Sequence, residues 1–547
     1  MLGRRGSFCS LSTGTPGESI MSPHFFRFIK TNFIIPPKFW GLKHRNTGSA
    51  ELQFLPTDPE TYMSNAFYLR GGYFSDDLIA LKVHRRQQAE ANKSTFEIWE
   101  NSSDTWTRTL DVSGSEVTTS EGNGVFWTGT HTETDLFNSQ HYNIADYATQ
   151  YDSSNKILYV AARDETGVAN DELGARTTSG YTELTQPWLT LYKTQKTGES
   201  WSDFSEIGIL SASSIMYTSE AGRGVVTHFM TNDGTIVGRS QPPIYNNDGG
   251  ANKQSKLNFF NPNVVENGAL KKTDSVLWSN YKPDTTNQTT YYWGQQIGVN
   301  HDSTKVYAGG ILSGSQMAFD GSEHIVRIVY DIIASGSTNG WEREAQITGS
   351  LNHAEDASAG QYISFSRGEN SFAFNDDYAV MGMPSYKDST ASGTQKNMGA
   401  IHIYKKTGAT WATHELIETI NGSSSFASAG LDPNDGRSIL SLYGYNVAIN
   451  SDNDIAVTAP NYYVDATVNE GGAILVLTKS TGADTWGNSF KHLGITDAKK
   501  SGYDNGTDGD TYFRIQSFSN NYLFAVGPSG SASNNHQGID ILKKEEA

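Results

Sequence analysis

Three carboxylates stand close together in the run Asp504-Asn505-Gly506-Thr507-Asp508-Gly509-Asp510. Hard oxygen donors at short, glycine-separated spacing suit a calcium ion. The same residues also describe a solvated Asp/Gly turn, which is the simpler expectation. Calcium held by Asp504, Asp508 and Asp510 is the alternative, and no other cofactor is expected. The turns Asn246-Asn247-Asp248-Gly249 and Asp432-Pro433-Asn434-Asp435-Gly436 offer fewer carboxylates. The 13 histidines are scattered, with no H-E-x-x-H and no pair at metal-ligand spacing. Glu323-His324 and His353-Ala354-Glu355-Asp356 read as loops. No G-x-S-x-G elbow and no Walker loop is present. The single cysteine, Cys9, excludes a disulfide framework and a cysteine-rich zinc or iron–sulfur site. An enzyme is therefore not expected.

The elements that would position such residues come from the rest of the chain. At 547 residues it is too long for one ordinary core, yet repeat architectures reach this size as a single unit. Its 63 aromatic residues exclude a disordered chain, and no uncharged apolar run is long enough to span a membrane as a helix. The net charge of −18 hides a split. Residues 1–45 carry seven basic side chains against Glu18 alone, so the remaining body is strongly acidic. An acidic body argues against nucleic acid as a partner, because a basic face supplies most of that affinity.

The basic segment also carries apolar residues. Phe25, Phe26, Phe28, Phe33, Phe39 and Trp40 are interleaved with Arg27 and Lys30 and interrupted by Pro36-Pro37. Arg4 and Arg5 are followed by Gly-Ser-Phe-Cys rather than by an apolar stretch, so a secretion signal is not expected. Residues 1–45 are read as an irregular arm that docks on a partner protein through these eight side chains, with packing on its own domain as the plain alternative.

Residues 46–547 repeat. Leu78-Ile79-Ala80-Leu81 is followed by Leu158-Tyr159-Val160-Ala161, Thr235-Ile236-Val237-Gly238 and Val306-Tyr307-Ala308-Gly309. Tyr378–Gly382, Ile455–Pro460 and Leu523–Pro528 complete the series, at intervals of 68 to 80 residues. An alternating strand follows, as in Phe96-Glu97-Ile98-Trp99 and Ile401-His402-Ile403-Tyr404. A polar turn then lands on a tryptophan: Trp106, Trp201, Trp341, Trp411 or Trp486. The third copy is blurred, with Val276-Leu277-Trp278 standing in. Four strands in each of seven copies predict an all-β, seven-bladed β-propeller, with each Trp capping an outer turn and buried between blades. The last copy ends after its third strand. Ala50–Leu55 resembles the missing fourth strand and is expected to pair with Ile539–Leu542, which would close the ring and cover an open sheet edge.

These copies resemble FG-GAP repeats, the blades of the integrin α-subunit type. Tyr443-Gly444-Tyr445-Asn446 with Asp454–Pro460, Gly471–Leu477 and Trp486 carries the resemblance, as does Asp377–Pro384 with Gly399–Tyr404 and Trp411. It covers roughly residues 60–547, strongly in the last three copies. The family often places Asp-x-Asp-x-Asp-Gly calcium loops inside a blade hairpin, whereas Asp504–Asp510 falls between blades. The resemblance implies a propeller more firmly than it implies a function.

Propeller glycosidases and sialidases are the enzymatic rivals, and Ser102-Ser103-Asp104-Thr105-Trp106 only echoes the sialidase Asp-box. An Asn-, Ser-, Thr-, Gly- and Tyr-rich composition without a leader leads to the expectation of a virion structural protein, such as a bacteriophage tail, neck or capsid appendage. It would be made in the host cytoplasm and docked in multiple copies onto other virion proteins through residues 1–45, with a host-surface receptor as a further partner. The alternative is an extracellular FG-GAP adhesion propeller, favoured if sequons such as Asn92-Lys93-Ser94, Asn287-Gln288-Thr289 or Asn421-Gly422-Ser423 carry glycan.

Overall fold

An alternating strand whose two faces are both apolar needs a neighbour on each side, and this chain meets the need by stacking blades. The structure is a computed structural model. It describes residues 38–45, 72–87, 90–113, 147–163, 187–211, 228–239, 256–277, 296–313, 326–336, 340–349, 371–384, 386, 398–431, 441–460, 462, 472–493, 514–528 and 537–546. The chain divides into two compact units, Met1–Phe39 with Glu545–Ala547, and Trp40–Lys544. Of the first, the described residues are strand ends. The second is a seven-bladed β-propeller of four-stranded antiparallel blades, the second and third joined into one sheet by a parallel bridge between Ile209 and Ala269.

The first strand, β1 (Lys38–Arg45), belongs to the last blade. Blade 1 is β2 (Tyr73–Phe74), β3 (Leu78–Gln87), β4 (Glu90–Ser102) and β5 (Thr105–Ser113). Blade 2 is β6 (Tyr147–Asp152), β7 (Ile157–Arg163), β8 (Pro187–Thr197) and β10 (Ser205–Ser211), with the two-residue β9 (Ser200–Trp201) beside β8. Blade 3 is β11 (His228–Met230), β12 (Ile236–Arg239), β13 (Lys256–Glu266) and β14 (Ala269–Leu277). Blade 4 is β15 (Gln296–Val299), β16 (Val306–Ser313), β17 (Val326–Gly336) and β18 (Gly340–Thr348). Blade 5 is β19 (Phe372–Phe374), β20 (Tyr378–Met383), β21 (Ala400–Lys406) and β22 (His414–Asn421), followed by the short helix α1 (Gly422–Ser428). Blade 6 is β23 (Val447–Ile449), β24 (Ile455–Ala459), β25 (Ala473–Lys479) and β26 (Trp486–Leu493). Blade 7 is β27 (Arg514–Phe518), β28 (Tyr522–Pro528), β29 (Gln537–Glu546) and β1.

The core lies between blades. On β21, Ile401 and Ile403 pack toward blade 6 against Leu475 and Leu477, while Ala400 and Tyr404 turn toward blade 4 and meet Ile332 and Ile347. Period two thus feeds two interfaces from one strand. The same scheme joins Phe96 and Ile98 to Leu158 and Val160, Phe259 to Val306 and Val329, and Ile474 and Val476 to Leu523 and Ala525. Phe524 closes the circle on Phe74 at 5.5 Å. The small residues of the second strands sit where blades come closest. A Cβ on Gly382 would fall 1.8 Å from the Gly444 carbonyl oxygen, so the chain has no room for a side chain there.

Closure occurs as expected in kind, through a different segment. Both edges of β29 are filled, by β28 and β1, so Lys38–Arg45 supplies the fourth strand of blade 7. Ala50–Leu55 lies outside the described residues. Pro36-Pro37 had suggested an irregular arm through residue 45, but prolines suit the entry to a strand, and lysine and arginine suit an outer edge. The third copy is corrected too. Its outer hairpin turns at Asn267 and Gly268, both at positive φ, and places Leu270, buried, where other copies carry Trp. Trp278 lies beyond the end of β14, outside the described residues.

Strand alternation sorts the connections onto two ends of the ring. First and second strands are joined by three to six residues, and third and fourth strands by two to seven, all at one end. The second-to-third connections, apart from the two-residue turn of blade 1, span eight to 23 residues, and the blade-to-blade connections span 16 to 33, all at the other end. β1 therefore begins at the tight-turn end. Removing residues 1–37 should leave a soluble propeller with an unchanged melting temperature. Removing residues 1–45 should lower that temperature by several degrees or abolish solubility, because β29 then becomes an open edge. Circular dichroism melts of both truncations check this, and equal melts would show that β1 is dispensable.

Candidate functional site

The tight-turn end is held by backbone groups and short polar side chains that reach into the next blade. Asn232 N–H donates to the Ser303 carbonyl at 2.9 Å, and His301 N–H to the Phe374 carbonyl at 3.0 Å. Asn375 Nδ2 donates to the Asn450 carbonyl at 2.7 Å, and Asn450 Nδ2 to the Ser519 carbonyl at 3.0 Å. Asn521 Nδ2 reaches Asp76 Oδ2 at 2.6 Å, and the Ser519 hydroxyl donates to the other oxygen of Asp76. The chain of contacts runs from blade 3 through blade 7 to blade 1. Asn and Ser serve here because one short side chain can satisfy a neighbouring backbone group that a tight turn leaves unpaired.

Outside this belt, two outer turns make the same clasp. Asp104 accepts from the Tyr522 hydroxyl at 2.6 Å and from Lys543 Nζ of blade 7. Asp484 accepts from the Tyr378 hydroxyl and from Lys405 Nζ of blade 5, the latter at 2.6 Å. The register is the same in both, since Tyr522 lies opposite Lys543 and Tyr378 opposite Lys405. Hydrogen bonds from Lys405 and then Tyr378 hold the Asp484 carboxyl down to about 2. Desolvation, followed by the Asp484 hydrogen bond, pushes the Tyr378 hydroxyl up. Each aspartate stands two residues before a Trp, in Asp104-Thr105-Trp106 and Asp484-Thr485-Trp486. That repeated tripeptide, with a tyrosine opening β20 and β28, is the sequence signal for the clasp.

The tryptophans themselves pack on the preceding blade. Trp106 meets Tyr522 and Phe524 at 6.0 and 6.1 Å, Trp341 stacks on Phe259 at 4.6 Å, and Trp486 meets Tyr378 edge-on at 5.2 Å. Trp411 is fully buried in the blade 4–5 cluster. Trp201, partly buried on β9, faces Tyr151 at 6.1 Å. Two of these residues also give their backbone N–H to an acid on the outer strand of the preceding blade, and a third lies beside one. Trp341 donates to Asp274 and Trp411 to Glu344 at 2.7 Å, while the Trp486 N–H lies beside the Glu418 carboxyl. Sequence reasoning placed the tryptophans between blades and missed their acidic partners.

Buried carboxylates elsewhere are likewise engaged. Glu97 accepts from Trp99 Nε1 at 2.9 Å, Asp331 accepts from Gln346 Nε2 at 2.9 Å, and Asp454 pairs with Lys544 at 2.6 Å. Lys543 and Lys544 point to opposite faces of β29 and so tie the closing blade to blade 1 and blade 6 respectively. Of the expected docking residues, Phe39 and Trp40 lie on β1 within the closing blade. Phe25, Phe26, Arg27, Phe28, Lys30 and Phe33 lie outside the described residues, as do Asp504, Asp508 and Asp510. Among the described residues no group of three or more His, Cys, Asp and Glu side chains is placed to hold a metal ion, and no helix is long and apolar enough to cross a membrane.

No protein-family model and no curated protein matches the chain. Among solved structures it is similar to the polysaccharide lyase Uly1, with 10% identity, 94% of this chain and 98% of the other covered, and a TM-score of 0.38. It is also similar to the β-propeller domain of the trilobed protease from Pyrococcus furiosus, which has an open velcro topology. That match has 8% identity, 89% and 97% coverage, and a TM-score of 0.37. Likeness at this level bears on neither activity nor substrate.

Two outcomes follow for these contacts. Trp486 Nε1 donates to the Asn453 carbonyl at 2.8 Å, whereas the buried Trp411 Nε1 has no partner. Trp486→Phe should therefore cost about 1 kcal/mol more than its lost ring contacts alone, and Trp411→Phe should not, as measured by urea unfolding. Asp484 is depressed in the folded ring, so its contribution is complete above the ordinary aspartate range and is lost as the pH falls toward about 2. Asp484→Asn should flatten that part of the acid unfolding curve, and a curve parallel to wild type would remove the clasp from the account.

Proposed function

We propose that this chain is a non-enzymatic binding propeller, a structural appendage of a virion that docks through its basic N-terminal segment and presents the opposite end of the ring to a host surface. The observation that supports the reading is the asymmetry of the two ends. One end consists of tight turns hydrogen-bonded from blade to blade, and β1 begins there. The other end receives every long connection but one short turn. Loops raised on a rigid frame are where propellers and other scaffolds vary their recognition surfaces without disturbing the core.

Binding rather than catalysis is favoured by what the described carboxylates do. Asp76, Asp104, Asp274, Glu344 and Asp484 each accept a hydrogen bond across a blade boundary, and Glu97 and Asp331 accept from side chains within their own blades. These oxygens hold the ring together. The acidic body and the basic segment, +6 over residues 1–45, also suit a protein that joins an assembly through one end.

Particles assembled with the full chain and with a chain lacking residues 1–37 separate the possibilities. The truncated propeller should fold and stay out of the particle, while the full chain is incorporated. Incorporation of both at equal copy number would overturn docking through this segment. An intact mass carrying glycan at Asn92, Asn287 or Asn421 would instead support the extracellular adhesion propeller.

A further inference from the structure

Among the inter-blade acids, Glu418 differs from its counterparts. Asp274 and Glu344 use both oxygens: Asp274 accepts from Trp341 and Ser275 N–H, and Glu344 from Trp411 N–H and Lys305 Nζ at 2.8 Å. Glu418, on β22, has the Trp486 N–H beside its carboxyl, and its Oε2 is buried without a partner. The site is where β22 and α1 meet blade 6, among Phe426, Tyr443, Trp486, Ile417 and Ile420. Tyr443 is fully buried beside Ser425, and its hydroxyl completes no hydrogen bond of ordinary geometry.

We infer that Glu418 is a proton-binding site that makes the joint between blades 5 and 6 tighten as the pH falls. A buried carboxylate oxygen without a donor favours the neutral acid, and one proton removes the uncompensated charge. Desolvation raises the Glu418 carboxyl above the ordinary glutamate range, only partly offset by the Trp486 N–H. The charged groups on the surrounding elements are otherwise committed. Lys405 on β21 and Lys479 on β25 both pair with Asp484, and Lys491 on β26 donates to the Ala429 and Gly430 carbonyls. His414 and Glu415 lie at the start of β22, with His414 Nδ1 at the Trp411 carbonyl, and α1 carries no titratable side chain. Tyr443 faces the site as a neutral hydroxyl, held so by burial.

The sign follows from linkage. A carboxyl raised on folding binds its proton more tightly in the ring than in the unfolded chain, so stability from this group rises as the pH falls from neutrality toward the ordinary glutamate range. The effect is at most about tenfold in the unfolding equilibrium per pH unit. Urea unfolding of the full chain at pH 7.5 and 5.0, wild type against Glu418→Gln, reads it. The variant keeps an oxygen for Trp486 N–H and should be more stable than wild type at pH 7.5, with the advantage shrinking several-fold at pH 5.0. Parallel pH dependence in the two chains would overturn the inference. If Glu418→Gln does not fold, hydrogen exchange of the Trp486 amide in the wild-type chain decides. Protection should rise several-fold on acidification after correction for the intrinsic exchange rate, and constant or falling protection would overturn the site.

Discussion

Every blade of this protein has two apolar faces and can bury both only between neighbours. A single four-stranded sheet such as β19–β22 would leave either the Ile401 and Ile403 face or the Ala400 and Tyr404 face in water. Stability is therefore a property of the closed circle, and the last junction matters as much as any other. That junction rests on Phe524 against Phe74 and Trp106, and on β1 filling the outer edge of β29. The hydrophobic effect drives the stacking, but it has no direction, and apolar faces alone would let one blade slide along the next.

Polar contacts supply the missing direction. The asparagine belt pins the inner turns from blade 3 round to blade 1, and Asp274 and Glu344 pin the backbone of the following tryptophan, so blades 3, 4 and 5 are registered near the axis and near the rim. A short side chain bonded to a backbone carbonyl tolerates little displacement. The charged pairs at the rim are partly exposed, and each adds little stability alone. Their part is to choose one angular setting among several that the apolar faces would accept.

The repeat was legible because it is written in residue types that only one geometry uses well: small residues on the second strand, alternating apolar residues on the third, and Trp after the outer turn. Blade count and the buried position of Trp106, Trp411 and Trp486 follow from that pattern. The closing strand was harder to see. Lys38–Arg45 is short, basic and preceded by two prolines, and a strand on a rim needs only one well-packed face, so its pattern is weak. The third copy was blurred for a related reason: Leu270 takes the buried place of Trp, and an apolar residue of another shape breaks the motif without breaking the fold. The inter-blade acids Asp274, Glu344 and Glu418 were invisible because no local pattern marks them. Their partners lie 67 or 68 residues away along the chain, and the outer-strand position that meets the next tryptophan depends on where each strand is bulged.

This difference in legibility bears on function. Residues that repeat from blade to blade answer to the ring, since each junction poses the same packing problem. Asp104 and Asp484 solve it with the same tyrosine–lysine pair, which gives both a part in the frame, although Ser102–Trp106 also echoes the sialidase Asp-box. Residues that depart from the repeat are under no such demand. Glu418 departs by having a buried oxygen without a partner, and the long connections vary in length far more than the tight turns do. Recognition needs variation on a fixed support, and the alternation of strands has gathered the variable segments at one end and the invariant contacts at the other. Segments joined at the long-connection end can change in length without touching a single contact of the belt.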